Sequence, residues 1–273
     1  NDNPWSQPPS QRAAWAGKLE LEPFDPSRHE VLLYVGCTSS YNRRAQKIAR
    51  ALVTLLRVAG VSFGYLGDEE PCCGESALSV GNLPYFEELS TRASGVFQQW
   101  GVNQLITISP HCYDVFKNHY TSPGFEALHY TQYLAHLVDA KKLSFTVPLD
   151  LKVTFQDPCY LGRLNEEYTA PRNILSAIPG IELVEMEDSR QAGLCCGGGG
   201  GRMWLETPAN ERFSEIRVQQ AVRTGASRIA TACPFCLSCL EDSASQAGGK
   251  LSVLDIAELA VLALDHGAAG GHA

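Results

Sequence analysis

The chain has 273 residues, 22 Lys+Arg against 30 Asp+Glu for a formal net charge of -8, 44% hydrophobic residues and ten cysteines. An acidic balance with dispersed basic residues lacks the positive footprint that phosphate contacts require, which excludes a nucleic-acid partner. A chain of this length builds a core without cross-links, so a disulfide scaffold is not expected.

Residues 1–29 are a lead-in punctuated by Pro4, Pro8, Pro9, Pro23 and Pro26, with a short helix expected over 11–17 and with Trp5 and Trp15 expected to pack on the body. No apolar h-region of a signal peptide is present, so the expected location is cytoplasmic, with any membrane association supplied by a partner.

From residue 30 strands alternate with helices. The run VLLYVG reads as a buried strand. Ala45, Ile48, Ala49, Leu52, Val53 and Leu56 give helical periodicity over 42–59, closed by Gly60. A strand VSFGYLG, a CCGE turn, a helix over 84–100, a strand QLITIS, a short helix from Pro110 and a helix around 128–137 complete a first lobe, 30–148. The order then repeats over 149–266: strand LKVTFQDPC, helix 171–178, strand IELVEM, CCGGGGG, helix 210–224, strand RIATAC, a helix from Pro234, and an amphipathic helix over 251–264 that Asp255 and Glu258 disqualify as a membrane span. Residues 267–273 are expected to be a flexible tail, and the linker lies near 141–150.

Cys37 and Cys159 are 122 residues apart, Cys72 and Cys195 123, and Cys112 and Cys236 124. ALHYTQYLAHL aligns with SVLDIAELAVL near the ends of the two halves. The expected fold is therefore α/β and internally duplicated, with two Rossmann-like lobes of mostly parallel sheet.

In both halves the cysteines follow strands. Loops beyond the carboxyl ends of parallel strands share one edge, where ligands bind, so the three cysteine segments of each half converge. The second set comprises Cys159, the pair Cys195-Cys196 on a glycine run, and Cys233 with Cys236. Five thiols from three segments suit a polynuclear metal centre. Gly197 and Gly198 lack side chains that would keep backbone amides from sulfur. The first set is Cys37, Cys72, Cys73 and Cys112, with Ser109 where a C-x-x-C would open.

Other readings compete. A thioredoxin-like dithiol leaves CC-Gly and the duplication unexplained. Zinc at both sites would make the chain an interaction module without redox activity. The glycine run lacks the Lys-Ser/Thr of a phosphate loop. Cys239 reads as a small apolar residue, and His111 and His129 as hydrogen-bonded structural histidines. Arg163, Arg172 and Arg202 balance an anionic centre, contact a partner, or are solvated.

Through VGC, CCGE, SPHCYDVF, DPCYLGR, CCGGGGGRMW and CPFC, nearly the whole chain resembles the cysteine-rich CCG part of heterodisulfide reductase catalytic subunits and related bacterial electron-transfer oxidoreductases. Gln156 departs from the histidine that many relatives carry before DPC. The resemblance implies an oxidoreductase with a noncubane 4Fe-4S cluster on Cys159, Cys195, Cys196, Cys233 and Cys236. Cys195 and Cys196 are the catalytic candidates, and the first set would hold a second iron-sulfur cluster or zinc. It further implies electron relay between a flavoprotein or ferredoxin-type donor and a quinone or disulfide acceptor. The partners would be a ferredoxin-like iron-sulfur domain, a flavoprotein and a membrane quinone-reactive subunit. NPWSQP resembles the stretch that follows a ferredoxin-like domain in such proteins.

Overall fold

Eight strands build two separate four-stranded sheets in a computed structural model that describes residues 1–121, 123–208, 211–246, 248 and 251–265. The first half runs β1 (Val31–Tyr34), α1 (Gly36–Tyr41), α2 (Gln46–Val58), β2 (Phe63–Gly64), α3 (Glu75–Ser79), α4 (Leu83–Gln99), β3 (Gln104–Thr107), α5 (Pro110–Asn118), β4 (Glu126–His129) and α6 (Tyr130–Asp139). The second runs β5 (Leu151–Gln156), α7 (Thr169–Ala177), β6 (Ile181–Val184), α8 (Phe213–Arg223), β7 (Arg228–Thr231), α9 (Pro234–Gln246), β8 (Ser252–Asp255) and α10 (Ile256–Leu262). The sheets are ordered β2-β1-β3-β4 and β6-β5-β7-β8, and every pairing is parallel. The same order twice makes the duplication structural. Two compact units divide the chain, Asn1–Tyr133 and Leu134–Ala273.

Sheets covered on both faces need strands that are apolar throughout, and β1 is buried at all four positions. α2 turns Ile48, Ala49, Leu52, Val53, Leu55 and Leu56 inward. In the first unit Tyr34, Phe97, Phe116, Tyr120 and Phe125 form a lattice of edge-on rings with centroids 5.0–6.4 Å apart.

The lead-in differs from its expected helix: it makes two 3-10 turns, Pro9–Gln11 and Ala14–Ala16. Pro8 and Pro9 sit at the start of the first turn, where proline is tolerated, and Gly17 at φ 54° ends the second. Trp15 is buried, and the Trp5 indole donates to the Thr38 hydroxyl at 3.3 Å. A bridge between Pro23 and Tyr65 lays the lead-in beside β2.

The helices expected around 128–137 and over 251–264 are each a strand followed by a helix. Each strand is four residues with two apolar ones in the middle, EALH and SVLD, too short to show a period apart from the helix it enters, which hid β4 and β8. Asp255, ending β8, caps α10: its carboxylate accepts from Ala257 N at 2.9 Å, and Glu258 accepts from Asp255 N at 2.9 Å. Gln132 accepts from His129 N at 3.0 Å in the same way. Thr107 pairs with His129 and Thr231 with Asp255, so His129 corresponds to Asp255, one residue away from the sequence alignment of the two ends. The helix expected over 210–224 spans Phe213–Arg223, and Asn210 and the 267–273 tail lie outside the described residues. Among the described residues no helix is long and apolar enough to cross a membrane.

Phe116 touches four other rings of the first core. Phe116→Ala is expected to destabilise that unit by about 3–5 kcal/mol, read as lost hydrogen-exchange protection of the β1 and β3 amides.

Candidate metal centres

In each sheet the strand order reverses beside the first strand of its half, between β1 and β3 and between β5 and β7. Crevices open at such points beyond the carboxyl ends. Cys37 lies in the first turn of α1 just after β1, Cys112 in the first turn of α5 just after β3, and Cys72 and Cys73 in the loop entering α3.

The first set packs tightly. Cys73 Sγ is 3.2 Å from Cys112 Sγ, Cys37 lies close enough to Cys72 for each to act on the other's proton, and a Cβ on Gly36 would stand 3.3 Å from Cys112 Sγ. Gly74 N donates to Cys72 Sγ at 3.5 Å. The Tyr34 hydroxyl donates to Pro71 O at 2.9 Å and that of Tyr120 to Cys73 O at 3.1 Å, so the aromatic core grips the cysteine loop. His111 Nδ1 is 2.9 Å from Glu75 Oε1, and both side chains are buried. Both ring nitrogens of His129 are engaged, with the Thr131 hydroxyl and with Ile108 O, which makes it structural.

A cation from the lead-in enters this set. Arg12 is 3% exposed and donates Nη1 to Cys37 Sγ at 3.2 Å and Nη2 to Glu70 Oε1 at 2.7 Å. Glu70, 6% exposed, also accepts from Val35 N and Gly36 N at 2.8 and 2.9 Å. Burial works against the guanidinium charge, yet Cys37 and Glu70 hold its pKa well above the ordinary value. Contact with Cys72 and burial push the Cys37 thiol well up, against the pull of Arg12. Cys72 is drawn down by Cys37, but Cys73 and burial prevail and push it up to about 12.

The second set holds six thiols, because Cys239 joins it. Cys159 Sγ is 3.9 Å from Cys195 Sγ, Cys196 lies close enough to Cys195, Cys236 and Cys239 for each to act on its proton, and Cys236 likewise to Cys233. Cys239 is therefore no inert core residue: it is half-buried, and with Cys196 it lines a cavity of about 190 Å³ together with Gly197, Arg202, Arg212 and Phe213. The signal was present in the sequence, since Cys236 and Cys239 are three apart on one helix and share a face. Gly197 N donates to Cys195 Sγ at 3.3 Å. Gly198 has a different reason to be glycine: a Cβ there would stand 2.7 Å from Cys239 Sγ.

Cys159 and Cys195 divide a proton unequally. Cys159, against Cys195 and partly buried, is pushed far up, whereas Cys195 is drawn far down by the bonds it accepts from Cys159, Cys196 and Gly197 N. Contact with neighbouring thiols and burial hold Cys196 well up.

Arginines brace this unit from within. Arg163 donates to Gly193 O at 2.6 Å, just before Cys195. Arg172 is chelated by Asp157 at 2.8 and 3.0 Å and by Glu185 at 2.6 and 2.9 Å, and the two carboxylates hold its pKa up against burial. Arg202 lies 5.8 Å from the Phe213 ring centre. Sequence reasoning missed Arg217, which is 0% exposed and donates to Gln156, to Asp188 O at 2.6 Å and to Gln220 at 2.7 Å. Among the described residues its Nη2 has no partner, and burial lowers its pKa. Gln156, which accepts from Arg217, donates to Leu194 O at 3.1 Å and so ties Arg217 to the CC loop.

All ten cysteines are free thiols. Among the described residues no three donors close on one point as around a single ion. Tetrahedral thiolates at about 2.3 Å from zinc lie roughly 3.8 Å apart, so Cys73 and Cys112 would have to part to take a metal, whereas Cys159 and Cys195 already stand at that spacing. The donor chemistry fits an iron-sulfur cluster: only sulfur donors in the second set, gathered from three segments, and an amide directed at one of those sulfurs.

The sequence profile of the CCG cysteine-rich domain matches residues 31–117 and 153–241. A Syntrophomonas wolfei protein named EtfAB:quinone oxidoreductase is 41% identical over 276 residues, 95% of this chain and 38% of its own length. A Bacillus subtilis protein named Probable iron-sulfur-binding oxidoreductase FadF is 41% identical over 269 residues, 94% of this chain and 38% of its own. A subunit of the dihydromethanophenazine:CoB-CoM heterodisulfide reductase of Methanosarcina barkeri is 32% identical, over 96% of this chain and 65% of its own. The chain thus spans well under half the length of the first two. A crystal structure of a hypothetical protein from Helicobacter pylori shares the fold, at TM-score 0.59 and 11% identity over 91% of this chain and 52% of its own.

Arg12→Met leaves Glu70 a buried unpaired charge and is expected to cost about 3–5 kcal/mol, with part of the loss recovered in Arg12→Met/Glu70→Gln, both measured by denaturant titration. Gly198→Ala is expected to cost about 1–3 kcal/mol through overpacking. Adding Cys239→Ala should relieve it, and a double-mutant cycle without coupling would remove Cys239 from beneath the loop.

Proposed function

The chain belongs to the CCG cysteine-rich domain family, and on that footing we propose that it is the cysteine-rich part of an iron-sulfur oxidoreductase in which Cys159, Cys195, Cys196, Cys233 and Cys236 hold a noncubane 4Fe-4S cluster. The observation that carries this reading is the gathering of those thiols at one crevice of the second sheet, with sulfur neighbours and an amide donor. When bound, the cluster supplies single electrons and an iron site open to a substrate sulfur.

The chain's own residues set the conditions for that chemistry. Cys195 and Cys196 form the reactive edge, Cys195 being half-buried and held anionic by the donors around it. The Gly197 amide withdraws charge from the Cys195 sulfur. Arg163 fixes the loop that carries both cysteines, and Arg217 offers a buried positive charge against an anionic centre. In the first unit Cys37, Cys72, Cys73 and Cys112 hold a second iron-sulfur cluster or zinc.

The role is electron relay between a flavoprotein or ferredoxin-type donor and a quinone or disulfide acceptor. The names of the relatives, one a quinone oxidoreductase and one part of a heterodisulfide reductase, support the two acceptors. The partners are a ferredoxin-like iron-sulfur domain, a flavoprotein and a membrane quinone-reactive subunit. The location is cytoplasmic, or at a membrane through that partner.

Protein purified anaerobically is expected to contain about four irons with matching sulfide in the second set, and Cys196→Ala to lose them together with the visible absorption. Zinc in place of iron throughout would overturn the redox reading and leave an interaction module.

A further inference from the structure

We propose that the Ser109 hydroxyl oxygen is the fifth donor of the first metal centre, standing where the second centre uses the Cys233 sulfur. The inference rests on the first set holding a metal, whether iron or zinc. Register places the two residues together: Ser109 and Cys233 are 124 apart, as are the strand-end residues Thr107 and Thr231 and the ligand candidates Cys112 and Cys236. Each stands between the third strand of its sheet and a helix whose first residue is proline, Pro110 or Pro234.

The state of the side chain is the second observation. Ser109 is the N-cap of α5, where a serine ordinarily turns its oxygen onto the N–H groups of the first turn. Here it makes no such bond. Its carbonyl accepts from Tyr113 N at 3.0 Å, as an N-cap carbonyl does, while the hydroxyl, on a residue 3% exposed, has no hydrogen-bond partner among the described residues. Buried hydroxyls normally find one, so a hydroxyl withheld from its own helix asks for a ligand that the polypeptide does not supply. Ser39, Ser40, Thr107, Thr154 and Thr231 also have unpartnered buried hydroxyls, but among the described residues Ser109 alone of these occupies the place of a motif cysteine.

Ligation would exchange the O–H bond for an oxygen–metal bond and release one proton to solvent. The first centre would then have a mixed oxygen and sulfur shell and the second a sulfur shell. Ser109 would complete a set of four thiols that is otherwise one donor short of the five motif positions of the second half.

The test compares the full chain with Ser109→Ala and Ser109→Cys, purified anaerobically, by metal analysis, chelator competition, X-ray absorption and thermal unfolding with and without metal. Ser109→Ala is expected to weaken metal retention at the first centre by about 10–100-fold, yet to unfold no earlier than wild type when metal-free, because the orphaned hydroxyl is gone. Ser109→Cys is expected to keep the metal while the absorption spectrum exchanges an oxygen neighbour for sulfur. If Ser109→Ala does not fold, the Ser109→Cys spectrum decides alone. Equal metal retention in Ser109→Ala, an unchanged shell in Ser109→Cys, or a wild-type first centre free of metal would each overturn the proposal. Iron in the second set with a bare first set would sink this inference and spare the redox reading. Zinc alone, bound through oxygen and sulfur in the first set, would do the reverse.

Discussion

Thiols pressed against one another in a protein interior cannot all surrender their protons, because each new thiolate meets both a poor dielectric and its neighbours' charge. This constraint organises both units. In the second it appears as a division of labour, with the pKa of Cys195 drawn down and that of Cys159 pushed up. In the first the thiols are pushed up even though Arg12 touches Cys37. A multivalent cation is the general way to bring such a group into its thiolate form.

One topology thus carries two differently built sets of thiols. The first unit sets four thiols on an aromatic lattice whose tyrosines grip the cysteine loop, and its buried cation comes from outside the repeat. The second sets six thiols on a framework of arginines from α7, α8 and the loop after β5, with a cavity reaching Cys196 and Cys239. After duplication, it is the surroundings of the sulfur that differ most.

The order of strands and helices, the parallel sheets and the placing of cysteines beyond strand ends were legible in the sequence, because apolar runs, glycine stops and a register within two residues all point the same way. β4 and β8 were not, since each is only four residues long, with two apolar residues in the middle, and runs straight into a helix. Cys239 could have been read from its spacing to Cys236, but a lone cysteine in an apolar helix also looks like core. Arg12, Glu70 and Arg217 gave no signal: their roles come from long-range burial, and an isolated arginine in a proline-rich stretch looks solvated.

The clamp between Arg12 and Glu70 alters where this domain begins. The CCG profile starts at residue 31, and cutting there would yield a protein with every cysteine but no guanidinium at Cys37. Glu70 would remain in the interior facing two backbone amides, its counter-charge gone. A boundary drawn from sequence similarity therefore passes through the electrostatic middle of the first centre, and the smallest piece that keeps that centre's charge intact has to reach back to Arg12.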